Sequence, residues 1–233
     1  MSMKRVLEAE WLDTLPPNDR GAIDSRRDLR RINGLMGNAQ ILTRLVKEMA
    51  TDQPIECLTE LGGGDGALLL SLARRLSVRG RTGRAVLVDR QEVVSESVRA
   101  GFTQAGWSLE TVTADVFDWL AGTNRPSQGV IVANLFLHHF AETELKRLLT
   151  LIAQCGRLFV ACEPRRCSLA LRASQVLGLI GCNAVTRHDA VVSVRAGFAG
   201  RELTDAWPSN SGWNLREGKA GLFSHSLVAA KVR

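Results

Sequence analysis

The chain has 233 residues, of which 45% are hydrophobic and 23% are charged, and its formal net charge at pH 7 is +6. This length and composition allow one α/β domain with a full apolar core and are short for two such domains. The first residues carry charges throughout, and no stretch approaches the roughly 20 apolar residues of a membrane span, so we expect a cytoplasmic chain that is neither exported nor inserted.

The five cysteines and the basic residues exclude further classes. The cysteines are odd in number and contain no C-x-x-C pair, so we expect neither a disulfide framework nor a bound metal. The arginines occur in short groups with acidic residues close to several of them and no aromatic residues between them to stack bases. We interpret these groups as solvated surfaces and do not expect a nucleic-acid partner.

Residues 1–52 are predicted to form a helical segment that packs on a domain of residues 53–233. Proline pairs and turns mark its limits, at Pro16-Pro17 and at Asp52-Gln53-Pro54. Gly37 and Asn38 are a plausible break between two helices. Apolar residues recur at helical spacing on both sides of that break, at Leu29, Ile32, Leu35, Met36, Ile41, Leu42, Leu45, Val46 and Met49.

From Glu56 onward, short apolar runs alternate with amphipathic stretches, which is typical of βα units around a parallel sheet. The runs predicted to be strands are CLTEL, AVLVD, LETVTAD, GVIVANLFL and GRLFVACE. After Glu163 we expect a helix over Ser168 to Ile180 and a helical piece near Val191 to Phe198. The runs WNLRE and FSHSLVAAKV, joined through Gly218 and Gly221, predict a terminal hairpin. The fold class is therefore α/β, a doubly wound and mostly parallel sheet with helices on both faces.

A glycine-rich turn lies between the first predicted strand and its helix, in the sequence Glu60-Leu61-Gly62-Gly63-Gly64-Asp65-Gly66. Alternate glycines let the backbone turn tightly and approach a ligand, and the helix that follows presents free N–H groups. Ligands of open α/β sheets bind at the carboxyl ends of the strands, where this turn lies. Any tight strand-to-helix turn can require glycine, so the turn alone is weak support for a cofactor site.

Three further polar positions follow at consecutive strand ends. Asp89 ends the second strand, where a carboxylate can accept both hydroxyls of a ribose; it could equally cap the strand in solvent. Asp115 ends the third strand and precedes the apolar Val116, an arrangement suited to an adenine ring; its alternative role is to cap the next helix. Asn134 and Leu135 end the fourth strand. Together with the glycine-rich turn, these three positions occur in the order expected of a site for a nucleoside-containing cofactor.

These residues make the sequence resemble the class I S-adenosylmethionine-dependent methyltransferases, from roughly Gly37 to the C-terminus. The stretch Leu137-His138-His139-Phe140 is similar to that of small-molecule methyltransferases of the ubiquinone-biosynthesis type. The resemblance implies a seven-stranded sheet of order 3-2-1-4-5-7-6 with its last strand antiparallel. It also implies that S-adenosylmethionine is the cofactor. The cofactor-binding residues that it implies are Glu60, Gly62, Gly64, Gly66, Asp89, Arg90, Asp115, Val116, Asn134 and Leu135.

Other functions fit parts of the same pattern. A nicotinamide-dependent oxidoreductase would also use a G-x-G-x-x-G/A turn and a ribose-binding Asp89, but Asp65 would repel a pyrophosphate at the helix end. An RNA or protein methyltransferase is a further alternative, as is a protein that binds the cofactor without catalysis. The fourth strand lacks the N/D-P-P-Y/F pattern of amino-group methylation, so we favour a small-molecule hydroxyl acceptor, aromatic or lipid-like.

His138 and His139 are the candidate catalytic residues. They follow the fourth strand at the edge where the methyl group should point, and the reference pKa of histidine suits a general base near neutral pH. One histidine could instead cap the next helix and the other could pack in the core. Glu163, at the end of the fifth strand, is a carboxylate alternative, whereas His188 and His225 are weaker candidates. The N-terminal helices are expected to close over the cofactor and to form a wall of the acceptor pocket.

Overall fold

A computed structural model describes residues 3–50, 54–78, 81–122, 129–209 and 212–232. Its strands are β1 (Cys57–Leu61), β2 (Gly83–Asp89), β3 (Trp107–Thr113), β4 (Val130–Asn134), β5 (Leu158–Pro164), β6 (Trp213–Ala220) and β7 (Ser224–Lys231). Its α-helices are α1 (Trp11–Thr14), α2 (Arg20–Met36), α3 (Asn38–Met49), α4 (Ala67–Leu76), α5 (Glu96–Gln104), α6 (Val116–Ala121), α7 (Glu142–Ala153), α8 (Ser168–Gln175), α9 (Ala184–Ala196) and α10 (Glu202–Ala206). The expected boundary between residues 52 and 53 lies outside the described residues.

The seven described strands form one sheet in the order β3-β2-β1-β4-β5-β7-β6. The pairs from β3 through β5 are parallel, and β7 runs antiparallel to both β5 and β6. The expected fold class and strand order are therefore confirmed. Because β4 and β5 are buried along their whole length, they read in the sequence as continuous apolar runs without polar alternation.

Helices cover both faces of the sheet and create two apolar cores. On one face Leu72 of α4 and Phe102 of α5 are fully buried against the strands. On the other face Leu149 of α7 and Leu203 of α10 are fully buried. The parallel strands all end at the same edge, so the residues that follow β1, β2, β3 and β4 converge there.

The segment after β5 differs from expectation in three places. The helix expected from Ser168 to Ile180 ends at Gln175, and a separate 3₁₀ turn spans Leu177–Ile180. Helix α9 begins at Ala184, earlier than expected, because the Asn183 side chain accepts a hydrogen bond from the Thr186 N–H and caps the helix. Strand β6 continues to Ala220, so Gly218 lies within the strand and only Gly221 belongs to the turn.

The N-terminal segment has the expected break, and most of the apolar positions of α2 lie on its more buried face. Gly37 ends α2 in the left-handed conformation, with φ of 69°, and α3 begins directly after it. The buried residues of α2 are Ala22, Ser25 and Asp28, whereas Leu35 is 78% exposed. The apolar spacing therefore indicated the helix correctly, and Leu29, Ile32 and Met36 are half-buried as expected of its apolar face, whereas Leu35 lies in solvent. Among the described helices, none has the length and apolarity that crossing a bilayer requires.

Candidate active site

The glycine-rich turn after β1 is closely packed, and it requires glycine for two different reasons. A Cβ atom on Gly62 would lie 2.1 Å from the Phe136 ring, so a side chain there is sterically excluded. Gly64 has φ of 52°, a backbone conformation that glycine adopts readily, and its N–H donates to Asp89 Oδ2 at 2.8 Å. The turn is thus shaped by Phe136 after β4 and by Asp89 at the end of β2.

Glu60 presents a buried carboxylate at the end of β1. The residue is 2% exposed, and its Oε2 atom has no hydrogen-bond partner among the described residues. Burial raises the pKa of Glu60 well above its usual value, and the neighbouring Asp65 and Asp89 raise it further. A cationic ammonium at this position would supply the missing donor and offset the buried negative charge, so Glu60 fits the amino-acid portion of S-adenosylmethionine.

Asp89 and Asp115 have different surroundings although both follow a strand. Asp89 is held by the N–H groups of Gly64 and Gln91, which leaves acceptor capacity on both oxygens for ribose hydroxyls. Asp115 caps α6 by accepting from the Phe117 N–H at 2.8 Å, and its other oxygen pairs with Arg90 at 2.6 Å. Burial alone would raise the pKa of Asp115, but the hydrogen bond from Arg90 lowers it. Asp115 thus fills the capping role that the sequence left open.

The end of β4 is fixed by contacts that the sequence did not reveal. Asn134 Oδ1 accepts from Asn38 Nδ2 at 2.9 Å, and Asn38 is fully buried at the start of α3. Leu135 has φ of 51°, an uncommon conformation for a residue with a side chain, and its N–H donates to Cys162 O. Cys162 is fully buried, and burial raises the pKa of its thiol to about 12, so the thiol stays protonated.

A cavity of about 750 Å³ opens at this edge of the sheet. This volume is within the range typical of small-molecule and cofactor sites. Of the expected cofactor residues, it is lined by Glu60, Gly62, Gly64, Asp89, Arg90, Val116, Asn134 and Leu135. Gly66 and Asp115 support the site from behind this lining: Gly66 begins α4 with φ of 75°, and Asp115 orients Arg90.

Helix α2 forms one wall of the same cavity, through Leu29, Arg30, Asn33 and Gly34. Arg30 lies 2.5 Å from Asp65, which belongs to the glycine-rich turn. The ion pair connects the N-terminal segment to the cofactor side of the cavity. It also means that the Asp65 carboxylate is already paired with an arginine.

His138 is buried between two carboxylates. Its Nδ1 lies 2.9 Å from Glu163 Oε2 and its Nε2 lies 3.2 Å from Glu10 Oε1. Burial alone would lower the pKa of His138, but the hydrogen bonds to Glu10 and Glu163 raise it to about 9. Glu163 also accepts from the N–H groups of Phe136 and Leu137 and so fixes the turn that carries both histidines. At neutral pH His138 is therefore an imidazolium.

His139 is the more accessible histidine, with 26% of its side chain exposed and Asp13 Oδ2 at 3.3 Å from its Nδ1. Both histidine rings line the cavity and their centroids are 4.2 Å apart. Glu10, His138 and His139 also place possible metal-ligand atoms within 4.8 Å of one another. The hydrogen bonds of His138 to its two carboxylates already satisfy both of its ring nitrogens.

Residues 3–14, which we call the N-terminal strap, contribute site residues that sequence reasoning missed. Arg5 donates to the carbonyl oxygens of Ala196, His138 and Phe140. Glu10, Leu12 and Asp13 line the cavity beside the histidines. The strap has no periodic pattern, and only the carboxylate spacing in Glu8, Glu10 and Asp13 sets it apart. No signal in the sequence therefore links it to His138.

Comparisons with known proteins agree with this geometry. Residues 59–157, from β1 through α7, match the family model of a methyltransferase domain. No curated protein matches the chain. Among solved structures, the chain is similar to magnesium protoporphyrin IX methyltransferase from Synechocystis PCC 6803 with bound SAH, with 12% identity, a TM-score of 0.55 and coverage of 94% of this chain and 91% of that one.

Two further structures show the same fold. The plantazolicin methyltransferase BamL, in complex with a triazolic desmethyl analogue of plantazolicin and SAH, has 10% identity, a TM-score of 0.63 and coverage of 94% and 92%. The mitomycin 7-O-methyltransferase MmcR has 18% identity and a TM-score of 0.58, and the match covers 95% of this chain and 60% of that one. The expected methyltransferase domain is thus supported for residues 59–157, the three solved structures share the fold of the chain, and the residues at the carboxyl ends of the strands fit S-adenosylmethionine as the cofactor.

Proposed function

We propose that the enzyme transfers the methyl group to a hydroxyl of a small-molecule acceptor that is aromatic or lipid-like. The observation that carries this proposal is the single cavity that joins Glu60 and Asp89 at one side to Glu10, His138 and His139 at another. A cofactor held by the first group and an acceptor held by the second would share one space closed by the N-terminal strap.

When bound, S-adenosylmethionine supplies a methyl group on a sulfonium, which is a good leaving group. The protein therefore has to align the acceptor and to remove one proton. His138 is already protonated and holds the turn in place between Glu163 and Glu10. We assign the proton transfer to His139, with Asp13 beside Nδ1 leaving Nε2 as the nitrogen that receives the hydroxyl proton.

The cavity supports an apolar acceptor through Leu12, Leu29, Phe136 and Phe140, which line it together with the histidines. The similar fold of a mitomycin 7-O-methyltransferase favours a hydroxyl as the methylated group. The five cysteines all lie in the described part of the chain and form no disulfide bonds, which supports the proposal that the enzyme acts in the reducing cytoplasm.

The base assignment is tested with His139→Ala and His139→Gln. The assay uses methyl-labelled cofactor and a pool of hydroxylated aromatic and long-chain phenolic compounds. We expect turnover at pH 7 to fall by about 10²–10⁴, which is the usual range for loss of a general base. Turnover of both variants should rise with pH, because a phenol with a pKa near 10 ionises increasingly in solution without a base.

Cofactor affinity is the internal control for these variants. It should stay within about twofold of the parent, a change in binding free energy well below the roughly 1.4 kcal/mol of a tenfold change. Parent and variants should be treated with a chelator beforehand, so that a metal held by Glu10, His138 and His139 cannot substitute for the base. Turnover within about threefold of the parent, well below the general-base range, would show that alignment alone carries the reaction.

A further inference from the structure

An exposed apolar surface lies beside the cavity, on the 3₁₀ turn after α8 and the end of α2. Leu179 is 87% exposed, Leu35 is 78% exposed, Val176 is 52% exposed and Ile180 is 46% exposed. Large apolar side chains at this exposure are common singly, but three of these four lie within five consecutive residues. We call these four residues the apolar surface.

Two contacts connect the segments that carry the apolar surface. The Arg31 side chain on α2 lies 3.5 Å from the carbonyl oxygen of Ile180. Leu35 is one helical turn beyond Arg31 on the same side of α2. Arg187 of α9 lies against the turn, since a Cβ atom on Gly178 would be 3.2 Å from Arg187 Cδ.

The charges around the apolar surface are predominantly positive. From Pro164 to His188 the sequence contains four arginines and no aspartate or glutamate. Of these, Arg172 and Arg187 are exposed, and Arg31 adds a third exposed cation at the rim. The nearest carboxylate on α2 is Asp28, which is buried and lies 3.5 Å from Arg31. Exposed apolar side chains ringed by arginines are the pattern of a surface that binds anionic lipid.

The apolar surface and the cavity both include residues of α2. Arg30, Asn33 and Gly34 of α2 line the cavity, whereas Leu35 belongs to the apolar surface and Arg31 lies at its rim. The two features are therefore adjacent along this helix.

We propose that the apolar surface docks on an anionic membrane, with Leu179 and Ile180 entering the headgroup region and the arginines pairing with lipid phosphates. Charge decides between a membrane and a second copy of the chain. Two copies would bring the same arginines together, and the repulsion would oppose a dimer through this face. The inference stands on this surface alone and does not depend on which atom is methylated.

Vesicle co-sedimentation of the full chain tests the proposal. Vesicles of phosphatidylcholine with an equal amount of phosphatidylglycerol should bind the parent, and vesicles of phosphatidylcholine alone should not. The double variant Leu179→Gln with Ile180→Gln should lose binding. Arg172→Gln with Arg187→Gln should weaken binding about fivefold for each arginine, the effect expected of one basic residue near an anionic surface.

Leu222→Gln and Arg201→Gln are the matched controls, because Leu222 is 65% exposed in the hairpin turn and Arg201 is exposed before α10. Both should bind vesicles like the parent. Circular dichroism and turnover with a water-soluble acceptor should match the parent for every variant, which separates this proposal from the catalytic one. Failure of the parent to bind the anionic vesicles, or equal binding by Leu179→Gln with Ile180→Gln, would overturn the proposal. A concentration-dependent dimer that this double variant abolishes would assign the surface to self-association and would also overturn it.

Discussion

At the scale of single residues, Glu60 is the most informative side chain of the cofactor site. A buried carboxylate with an oxygen that lacks a partner destabilises the protein unless a ligand or a proton satisfies it. Asp65 and Asp89 lie near it; Asp65 pairs with Arg30, whereas no ion pair of Asp89 is found among the described residues. The residue is thus arranged to favour a bound ammonium over the empty state.

This arrangement predicts that cofactor binding releases a proton. Because the pKa of Glu60 is raised in the empty site, a cation that binds beside it lowers that pKa, and the carboxyl group ionises. Titration calorimetry with S-adenosylhomocysteine in two buffers of different ionisation enthalpy should report the release. Glu60→Gln should abolish the release and weaken binding by about tenfold or more, since a charge-assisted hydrogen bond contributes about 1.5–3 kcal/mol.

Glu56→Gln is the control for this experiment, because Glu56 is exposed just before β1. It should bind and release protons like the parent. A Glu60→Gln variant with unchanged affinity and unchanged proton release would show that Glu60 is a structural residue only.

At the scale of elements, the pairing of Glu10 with His138 joins the N-terminal strap to the turn after β4. The strap is held at further points, because Asp189 of α9 accepts from the N–H groups of Trp11 and Leu12 at 2.9 and 3.0 Å. The site therefore has two parts that are positioned differently. The strand ends are positioned by the topology of the sheet, and the strap is positioned by polar contacts.

The contact between Glu10 of the strap and His138 of the turn after β4 predicts a pH dependence of stability. Folding raises the pKa of His138 from 6.5 to about 9, so the folded state holds the proton more tightly than the unfolded chain does. The resulting stabilisation is complete below about pH 6.5 and is lost as pH rises through about 9. The free energy of unfolding, measured with urea, should fall by up to about 3 kcal/mol across this window.

Glu10→Gln should flatten this decline, because it removes one of the two carboxylates that raise the pKa of His138. Glu8→Gln, an exposed change two residues away, should keep the slope of the parent. Equal slopes of unfolding free energy against pH for the parent and Glu10→Gln would contradict the proposed role of the Glu10–His138 contact. Other groups that titrate above about pH 8, such as lysines and thiols, contribute equally to the pH dependence of parent and variants, so their contribution cancels when the slopes are compared.

The sheet could be predicted from the sequence, and the strap could not, for a physical reason. The buried parallel strands β4 and β5 read as continuous apolar runs, and their order follows from repeated βα units. The strap is fixed by polar contacts across more than 100 positions, such as Arg5 to Ala196 and Glu10 to His138, which local periodicity does not encode. The carboxyl ends of the strands thus indicated where the cavity lies, whereas the contribution of the strap to its lining could not be predicted.

At the scale of the whole molecule, the fold separates two tasks. In the proposed function, the turns after β1 and β2 hold the cofactor, and the turn after β4, the strap and α2 enclose the acceptor space; all of them line one cavity. The apolar surface lies outside this cavity, on the segment after α8 and the end of α2. A chain arranged in this way can take an apolar acceptor from its surroundings and exclude water during methyl transfer.

The measurement that tests the central claim most directly is the identification of the methylated product. The parent enzyme is incubated with S-adenosylmethionine labelled in its methyl carbon and with a mixed extract of small metabolites, and the labelled product is isolated. Its mass and carbon NMR spectrum should show one new methyl group on oxygen, on an aromatic or lipid-like molecule. A label found on nitrogen, on carbon or only in RNA or protein would contradict the account.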